Sequence, residues 1–310
     1  MLKKIVFMGT PLFAVPILKS LYQNGYPVSV VYTQPPQKSQ RGQRINKSPI
    51  QLISETLNIE FRCPYLLKDN EEEYKYLKNL NPDIAIVVAY GQIIPKKFLT
   101  LPKKGFINIH ASLLPKWRGA APIQRSIMNL EKETGISIMK INEQLDAGPI
   151  CNFYKIEVKN NDNAKMISEK LSSLAAEKIL DNLDTILNDN VEFKEQNHSN
   201  ATYASKIDKS ESEVNWHDKA ENIIGKINGL YPKPGAFFIY AGERYKILKA
   251  EISSGNGKAG DVLDNYLEIS CGNKKSIKIK EIQRQGKRPQ KIGEFMLGSQ
   301  IKKGSNLSNV

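Results

Sequence analysis

The sequence reads as an α/β protein: a Rossmann-like, doubly wound, mainly parallel sheet domain followed by a smaller β-barrel domain of OB-like kind. Three observations predict this. Apolar strand-like runs alternate with helical runs through the first half of the chain. One of them, Ile84 to Ala89, is apolar without interruption, as strands covered on both faces are. After a polar stretch from about Asp189 to Ser210, the pattern changes to short β-rich runs separated by glycine-containing turns. The domains are therefore placed at 1–189 and 209–310, with 190–208 as a linker. A sandwich or an open sheet is the alternative for the second domain.

The elements follow in order. Residues 3 to 8 are an apolar, partly β-branched first strand. Thr10 is read as a helix cap with Pro11 at the first helical position, and Leu12, Phe13, Ile17, Leu18 and Leu21 recur at near-helical spacing until Gly25. Val28 to Thr33 is a second strand, and Ser48-Pro49 opens a second helix in the same way. The first turn, Gly9 to Ala14, carries one glycine and not G-x-G-x-x-G, which argues against a dinucleotide there. Phe106 to His110 is a strand whose alternation puts Phe106, Asn108 and His110 on one face. Gly135 to Ile141 is another, and residues 165 to 187 form a long amphipathic helix. In the second domain a short helix over Ala220 to Ile227 precedes strands at Phe237–Tyr240, Tyr245–Ala250, Tyr266–Ser270 and Ser276–Ile282.

Apolar residues make up 40% and charged residues 25% of the 310, the balance of a folded soluble chain, and no apolar run is long enough to span a membrane. The N-terminal apolar run stops at Gly9-Thr10-Pro11, too soon for a secretory signal. Cys63, Cys151 and Cys271 are isolated and odd in number, and the three histidines have no metal-ligand spacing. A cytoplasmic protein with reduced thiols and no metal is expected, as a monomer. The net charge of +13 points to a polyanionic partner, nucleic acid first.

The richest stretch is Asn108-Ile109-His110-Ala111-Ser112-Leu113-Leu114-Pro115-Lys116-Trp117-Arg118-Gly119-Ala120-Ala121-Pro122. Two polar side chains leave a strand end side by side, where open α/β sheets place their sites, and a proline-punctuated loop follows. Asp146 comes after a strand and shortly before Gly148, so it is expected at the same sheet edge. Spacing alone leaves Asp146 open between a site residue and a turn former.

These residues resemble the methionyl-tRNA formyltransferase family, over nearly the whole chain. Phe7-Met8-Gly9-Thr10-Pro11 with Phe13-Ala14-Val15-Pro16 is similar to the family's opening, and the block from Asn108 to Arg125 to its folate-site signature. Gly135 to Met139 and Leu145-Asp146-Ala147-Gly148 resemble the segment bearing its acidic residue. Asn215-Trp216 and Tyr231-Pro232-Lys233-Pro234-Gly235-Ala236 resemble the start of its C-terminal domain. Ala147 stands where threonine is common, and the tail after Gly298 is individual.

The resemblance implies transfer of a formyl group from 10-formyltetrahydrofolate to the α-amino group of initiator methionyl-tRNA, giving N-formylmethionyl-tRNA for translation initiation. It implies Asn108, His110 and Asp146 as the catalytic trio. It assigns Ser112, Leu113, Leu114 and Pro115 to the folate, with Val87, Val88, Ala89 and Tyr90 lining the pterin pocket. Chemically, negative charge develops on the formyl oxygen as the amine attacks, so donors fixed at that oxygen lower the barrier. Asn108 offers an amide N–H and His110 a ring N–H, while Asp146 can orient His110 and help take the amine proton. The Leu114-Pro115 bond, in a tight turn beside the folate, is expected to be cis.

The loop Lys38 to Lys47 carries four positive charges and no negative one. By the resemblance it approaches the tRNA acceptor arm, with Arg41, Arg44 and Lys47 on phosphates. A second basic segment, Lys274-Lys275, Lys278, Lys280, Arg284, Lys287-Arg288 and Lys291, has only Glu281 against it in sequence and suits the tRNA backbone too. The rivals are folate-dependent enzymes acting on a purine-pathway ribonucleotide or a sugar nucleotide, a formyltetrahydrofolate hydrolase, and a non-enzymatic RNA-binding protein. The first two differ in domain architecture, the hydrolase leaves the basic loop unexplained, and the binding protein leaves the trio unexplained.

Overall fold

The computed structural model describes residues 3–39 and 44–308. The strands are β1 (Ile5–Gly9), β2 (Val28–Tyr32), β3 (Gln37–Ser39), β4 (Arg44–Asn46), β5 (Phe61–Arg62), β6 (Ile84–Val88), β7 (Phe106–His110), β8 (Arg118–Gly119), β9 (Glu133–Lys140), β10 (Ile150–Glu157), β11 (Tyr203–Ala204), β12 (Phe237–Tyr240), β13 (Glu243–Ser253), β14 (Glu268–Ser270), β15 (Ser276–Arg284) and β16 (Gln290–Lys291). The helices are α1 (Val15–Gln23), α2 (Pro49–Thr56), α3 (Glu71–Leu80), α4 (Lys96–Leu99), α5 (Pro122–Met128), α6 (Ala164–Leu187), α7 (Ala220–Leu230) and α8 (Ile292–Leu297). The chain forms two compact units. The first comprises residues 1–120, 134–156 and 168–204, and the second 121–133, 157–167 and 205–310.

The first unit is built on a seven-stranded sheet of order β10-β9-β7-β6-β1-β2-β5. Strands β5, β2, β1, β6 and β7 are parallel, each to its neighbour. All five residues of both β1 and β6 are buried, as their apolar sequences require of central parallel strands. The order turns in opposite directions on either side of the β1–β6 pair, which creates a switch point at their C-terminal ends.

Ser48 caps α2 as expected, its Oγ accepting from the Gln51 N–H at 2.9 Å, with Pro49 in the first turn. Thr10 does not cap. Its Oγ1 donates to the Tyr90 carbonyl at 2.8 Å, tying the end of β1 to the end of β6, and the helix proper starts later at Val15. The basic loop is not merely a connection: β3 and β4 pair in antiparallel register within it.

Two further features depart from the sequence reading. Strand β9 runs antiparallel to β7, with Lys140 beside Ile107 and Ser137 beside His110. The turn after β9 thus begins level with the start of β7, and residues 141–149 must fold back to bring Asp146 to His110. The stretch 190–208, read as a linker, is built into structure through Ala204. Lys194 bridges Ile150, and β11 pairs in parallel with β8. A polar composition conceals this because the segment is held by main-chain pairs and by polar side chains, Gln196, His198 and Thr202, whose partners lie far off in sequence.

The second unit carries an antiparallel sheet of order β12-β13-β15-β14, with β16 added on β15. Register shifts between Ile247 and Ala250 mark irregularities that bend the long β13–β15 ribbon, so the sheet curls into a half-barrel. Its core is an aromatic run, Trp216 edge-on to Phe238, Phe238 stacked on Tyr245, and Tyr245 edge-on to Phe295. Helix α7 buries Ile223, Ile227 and Leu230 against it. Arg125 on α5 makes a two-pronged ion pair with Glu211, Nη1 to Oε2 at 2.6 Å and Nη2 to Oε1 at 2.9 Å, and donates to the Ser205 carbonyl.

Candidate active site

Strand β7 delivers Asn108 and His110 on one face, two residues apart, and both reach Asp146. Asn108 Nδ2 donates to Asp146 Oδ1 at 3.4 Å, and His110 Nδ1 lies 3.6 Å from Asp146 Oδ2. The three side chains assigned to catalysis therefore converge in space. His110 and Asp146 are largely withdrawn from water, with side chains 6% and 15% exposed. In such surroundings a fixed charge or dipole acts more strongly than in solution.

The histidine ring is fixed from behind. Its Nε2 lies 2.9 Å from the Trp117 carbonyl. A carbonyl only accepts, so Nε2 carries a hydrogen and Nδ1 is the nitrogen left to face Asp146. The ring N–H assigned from sequence to the formyl oxygen is thus already engaged. The second N–H of the Asn108 amide is the donor that remains, and His110 offers Nδ1 as a base whose protonated form Asp146 would neutralise.

Asp146 is held on both sides. Oδ2 accepts from the Gly119 N–H at 2.8 Å, and its own carbonyl accepts from Gln196 Nε2 at 2.9 Å. Asp146, Trp117 and Ala89 all have positive φ, at 48°, 62° and 47°. Each left-handed non-glycine residue costs on the order of 1 kcal/mol, so three of them in site segments mark a backbone that the surroundings over-determine. Gly119 is restricted to glycine: φ is 118°, and a Cβ would come 2.8 Å from the Ala204 carbonyl oxygen.

The loop assigned to folate is braced by its own hydrogen bonds. Ser112 is fully buried and its Oγ donates to the Lys116 carbonyl at 2.7 Å, so this hydroxyl braces the turn. Ser137 Oγ accepts from the Leu114 N–H and donates to the Ser112 carbonyl. The Leu114-Pro115 peptide is cis, as expected. Leu113 and Pro115 are half-buried and Leu114 is buried. At the C-terminal end of β6 and just beyond it, Val87, Val88 and Tyr90 are buried and Ala89 is exposed. A ligand at this edge would meet the main chain of residues 88–91 and the Ala89 methyl, not the Tyr90 ring. The Tyr90 hydroxyl is buried without a partner among the described residues, and burial pushes it above the usual phenol range.

The residues assigned to tRNA are placed unevenly. Arg41 lies outside the described residues, and Arg44 is placed on β4. Lys47 Nζ is paired with Glu55 at 2.8 Å, which holds the Glu55 carboxyl below the usual carboxylate range. In the second basic segment, Lys275 pairs with Glu221, Lys278 with Glu268, Lys280 with Glu251 and Arg284 with Glu243, at 2.5, 3.5, 2.5 and 2.5 Å. Half of its eight cations are thus paired with acids distant in sequence.

A different cationic face was missed. On the β12–β13 pair, Lys246 is opposite Phe237 and Arg244 opposite Ile239, and the Arg244 guanidinium lies 3.5 Å from the Phe237 ring centre. Burial, then the charges of Arg244 and Lys233, hold the Lys246 amine below the usual lysine range. None of these three cations has an acidic partner among the described residues. The alternation Arg244-x-Lys246 on one strand face was the available signal.

Comparison with known proteins matches the same architecture. The formyl transferase family model covers residues 3–183, and that of the formyl transferase C-terminal domain covers 206–300. The chain is 69% identical to methionyl-tRNA formyltransferase of Pelagibacter ubique (strain HTCC1062), over 100% of both chains. It is 41% identical to that of Jannaschia sp. (strain CCS1), over 98% of this chain and 99% of the relative. Among solved structures, an N-formyltransferase from Helicobacter canadensis in complex with folinic acid and dTDP-3-aminofucose superposes with a TM-score of 0.69 at 20% identity, covering 92% of this chain and 100% of that one, which is a likeness of fold. With near-complete coverage at such identity, the chain belongs to the methionyl-tRNA formyltransferase family of formyl transferases.

Proposed function

We propose that the protein transfers the formyl group of 10-formyltetrahydrofolate to the α-amino group of initiator methionyl-tRNA. The observation that carries this reading is the convergence of Asn108, His110 and Asp146 within a chain 69% identical to a methionyl-tRNA formyltransferase over its full length.

The α-amino nitrogen attacks the formyl carbon, forming the new C–N bond and placing negative charge on the formyl oxygen. Asn108 Nδ2 donates to that oxygen, the interaction that strengthens most as charge develops. His110 Nδ1 takes a proton from the attacking nitrogen, and Asp146 stabilises the resulting imidazolium across 3.6 Å. Collapse of the tetrahedral adduct breaks the bond from the formyl carbon to N10. The proton held at Nδ1 passes to that leaving nitrogen, so His110 ends as it began. Leu113, Pro115 and the main chain of residues 88–91 are the surfaces offered to the folate.

The macromolecular substrate enters through charge. Arg41 and Arg44 are the acceptor-arm contacts in this reading, with Lys47 held back by Glu55. The face of Lys233, Arg244 and Lys246 is the second contact, since paired cations such as Lys280 gain little by exchanging a carboxylate for a phosphate. Purified protein assayed with 10-formyltetrahydrofolate against initiator methionyl-tRNA, elongator methionyl-tRNA and a dTDP-amino sugar tests the function. Formylation of the initiator species above both others is expected, and preference for the amino sugar would overturn it.

A further inference from the structure

Asp146 is tied to the short strand β8 at both its ends. Its carboxylate accepts directly from the Gly119 N–H. Its backbone carbonyl is tied to the neighbouring residue, Arg118, through one intermediary, Gln196. The Gln196 Nε2 donates to the Asp146 carbonyl at 2.9 Å and to the Gly148 carbonyl at 2.8 Å. Its Oε1 accepts from Arg118 Nε at 3.2 Å and Nη2 at 2.7 Å. Asp146, Gly119, Arg118 and Gln196 therefore close a hydrogen-bonded ring.

The ring has one consistent assignment. Arg118 only donates and the two carbonyls only accept, so the Gln196 amide cannot be turned over without setting donor against donor and acceptor against acceptor. Gln196 is 6% exposed and Arg118 3%. A guanidinium buried to that extent gives charge-assisted bonds and would be costly to leave unpaired. The turn that is held has little freedom of its own. Asp146 is at φ 48°, and a Cβ on Gly148 would lie 2.0 Å from the Lys140 carbonyl oxygen. Trp117, on the other flank of Arg118, presents the carbonyl that orients His110. One buried glutamine thus braces the turn carrying the acid to the dipeptide that orients the base.

We propose that Gln196 is a positioning residue for formyl transfer, holding the Asp146 carboxylate at His110 Nδ1 through this ring. The inference rests on the catalytic reading of Asp146. It goes beyond that reading by placing a required group in the stretch that leads to the C-terminal unit, 50 residues along the chain from the acid it serves.

The test uses the full-length protein with three variants, Gln196→Met, Gln196→Glu and Asp146→Asn, and the Gln196→Met/Asp146→Asn double variant. Gln196→Glu keeps an oxygen for Arg118 but turns another oxygen toward the two carbonyls. Both Gln196 variants are expected to lose roughly tenfold to a hundredfold in kcat, with KM for each substrate within about twofold of wild type. Gln196→Met should cost no further rate in the Asp146→Asn background, because the two groups act as one unit. A wild-type rate for Gln196→Glu would reduce Gln196 to a partner for Arg118, and losses that multiply in the double variant would place its effect elsewhere; either overturns the proposal. Normal turnover of Asp146→Asn overturns instead the catalytic reading of Asp146. Amide exchange over residues 142–148 then still reports on the ring, faster in the Gln196 variants with the rest of the chain unchanged if the ring is real. Should neither Gln196 variant fold, Arg118→Lys opens the ring at its other link and is expected to give the same split of kcat from KM.

Discussion

The Gly119 N–H lies 2.8 Å from Asp146 Oδ2, on a residue whose φ of 118° and closeness to Ala204 admit no side chain. The same oxygen faces His110 Nδ1 at 3.6 Å. One carboxylate oxygen thus serves a structural donor and the proposed base together, which bears on how variants there should be read.

Asn108→Ala, His110→Ala and Asp146→Ala are each expected to lower kcat for initiator methionyl-tRNA on the order of a hundredfold or more. Asp146→Asn separates the two tasks of the oxygen. Its amide oxygen can still accept from Gly119, so the fold should be retained while the charge that stabilises protonated His110 is gone. Circular dichroism and turnover measured on the same preparations check this. A wild-type kcat in the His110 or Asp146 variants would remove the trio from the mechanism.

Much of this site is legible in the sequence, for physical reasons that also set the limit. Phe106 to His110 announces itself because alternation along one strand is local, and so does the Ser48-Pro49 cap. Helix α3 had a local signal that went unread: Asn70 caps it, with Glu71, Glu72 and Glu73 in its first turn. Gln196 had none. Its partners lie 50 and 78 residues away, and a glutamine in a polar run looks solvated. Asp146 was expected at the sheet edge because it follows a strand, yet it is reached by a fold-back after the antiparallel β9. The paired Lys275, Lys278 and Lys280 show the same limit, because their acids come from α7, β14 and β13.

The outer strands of the parallel sheet depend on a buried polar cluster. Glu73, 8% exposed, accepts from the Tyr32 hydroxyl at 2.7 Å and from Arg62 Nε at 2.7 Å. Burial, then the Glu73 hydrogen bond, raises the Tyr32 hydroxyl far above the usual phenol range, so it stays a neutral donor. Glu73→Ala leaves a guanidinium and a phenol without their acceptor and should cost about 3 kcal/mol in chemical denaturation. Tyr32→Phe removes a donor and not a charge's partner, and should cost about 1 kcal/mol. Equal costs for the two would mean that the ion pair contributes nothing beyond the hydrogen bond.

Glu211 gives a pH dependence with a definite sign. The Arg125 hydrogen bonds, then the Asp208 N–H, hold its carboxyl below the usual glutamate range. A carboxyl depressed in the folded state stabilises above its unfolded value, and this contribution is lost as pH falls through the folded value. Glu211→Gln should therefore be less stable than wild type at neutral pH, by about 1 kcal/mol or less because the side chain is a third exposed. The gap should close on acidification below the ordinary glutamate range. A gap unchanged between neutral and acid pH would show that the effect is packing and not charge.

The last prediction concerns the cationic face of the second unit. Burial, then the charges of Arg244 and Lys233, hold the Lys246 amine below the usual lysine range, and a polyanion laid across the three cations would offset that like-charge crowding. Replacing Arg244 and Lys246 by alanine should raise KM for methionyl-tRNA and leave folate affinity and the kcat at saturating tRNA near wild type, because neither residue belongs to the catalytic trio. The logarithm of tRNA affinity falls with the logarithm of salt by about 0.9 for each phosphate neutralised on a duplex, so the double variant should show a slope shallower by about one to two. As a control, Lys280→Ala on β15 removes a lysine already paired with Glu251 and should leave the slope unchanged. If Lys280→Ala flattens the salt dependence and the Arg244/Lys246 variant does not, the tRNA lies on the paired face, and its phosphates displace carboxylates there.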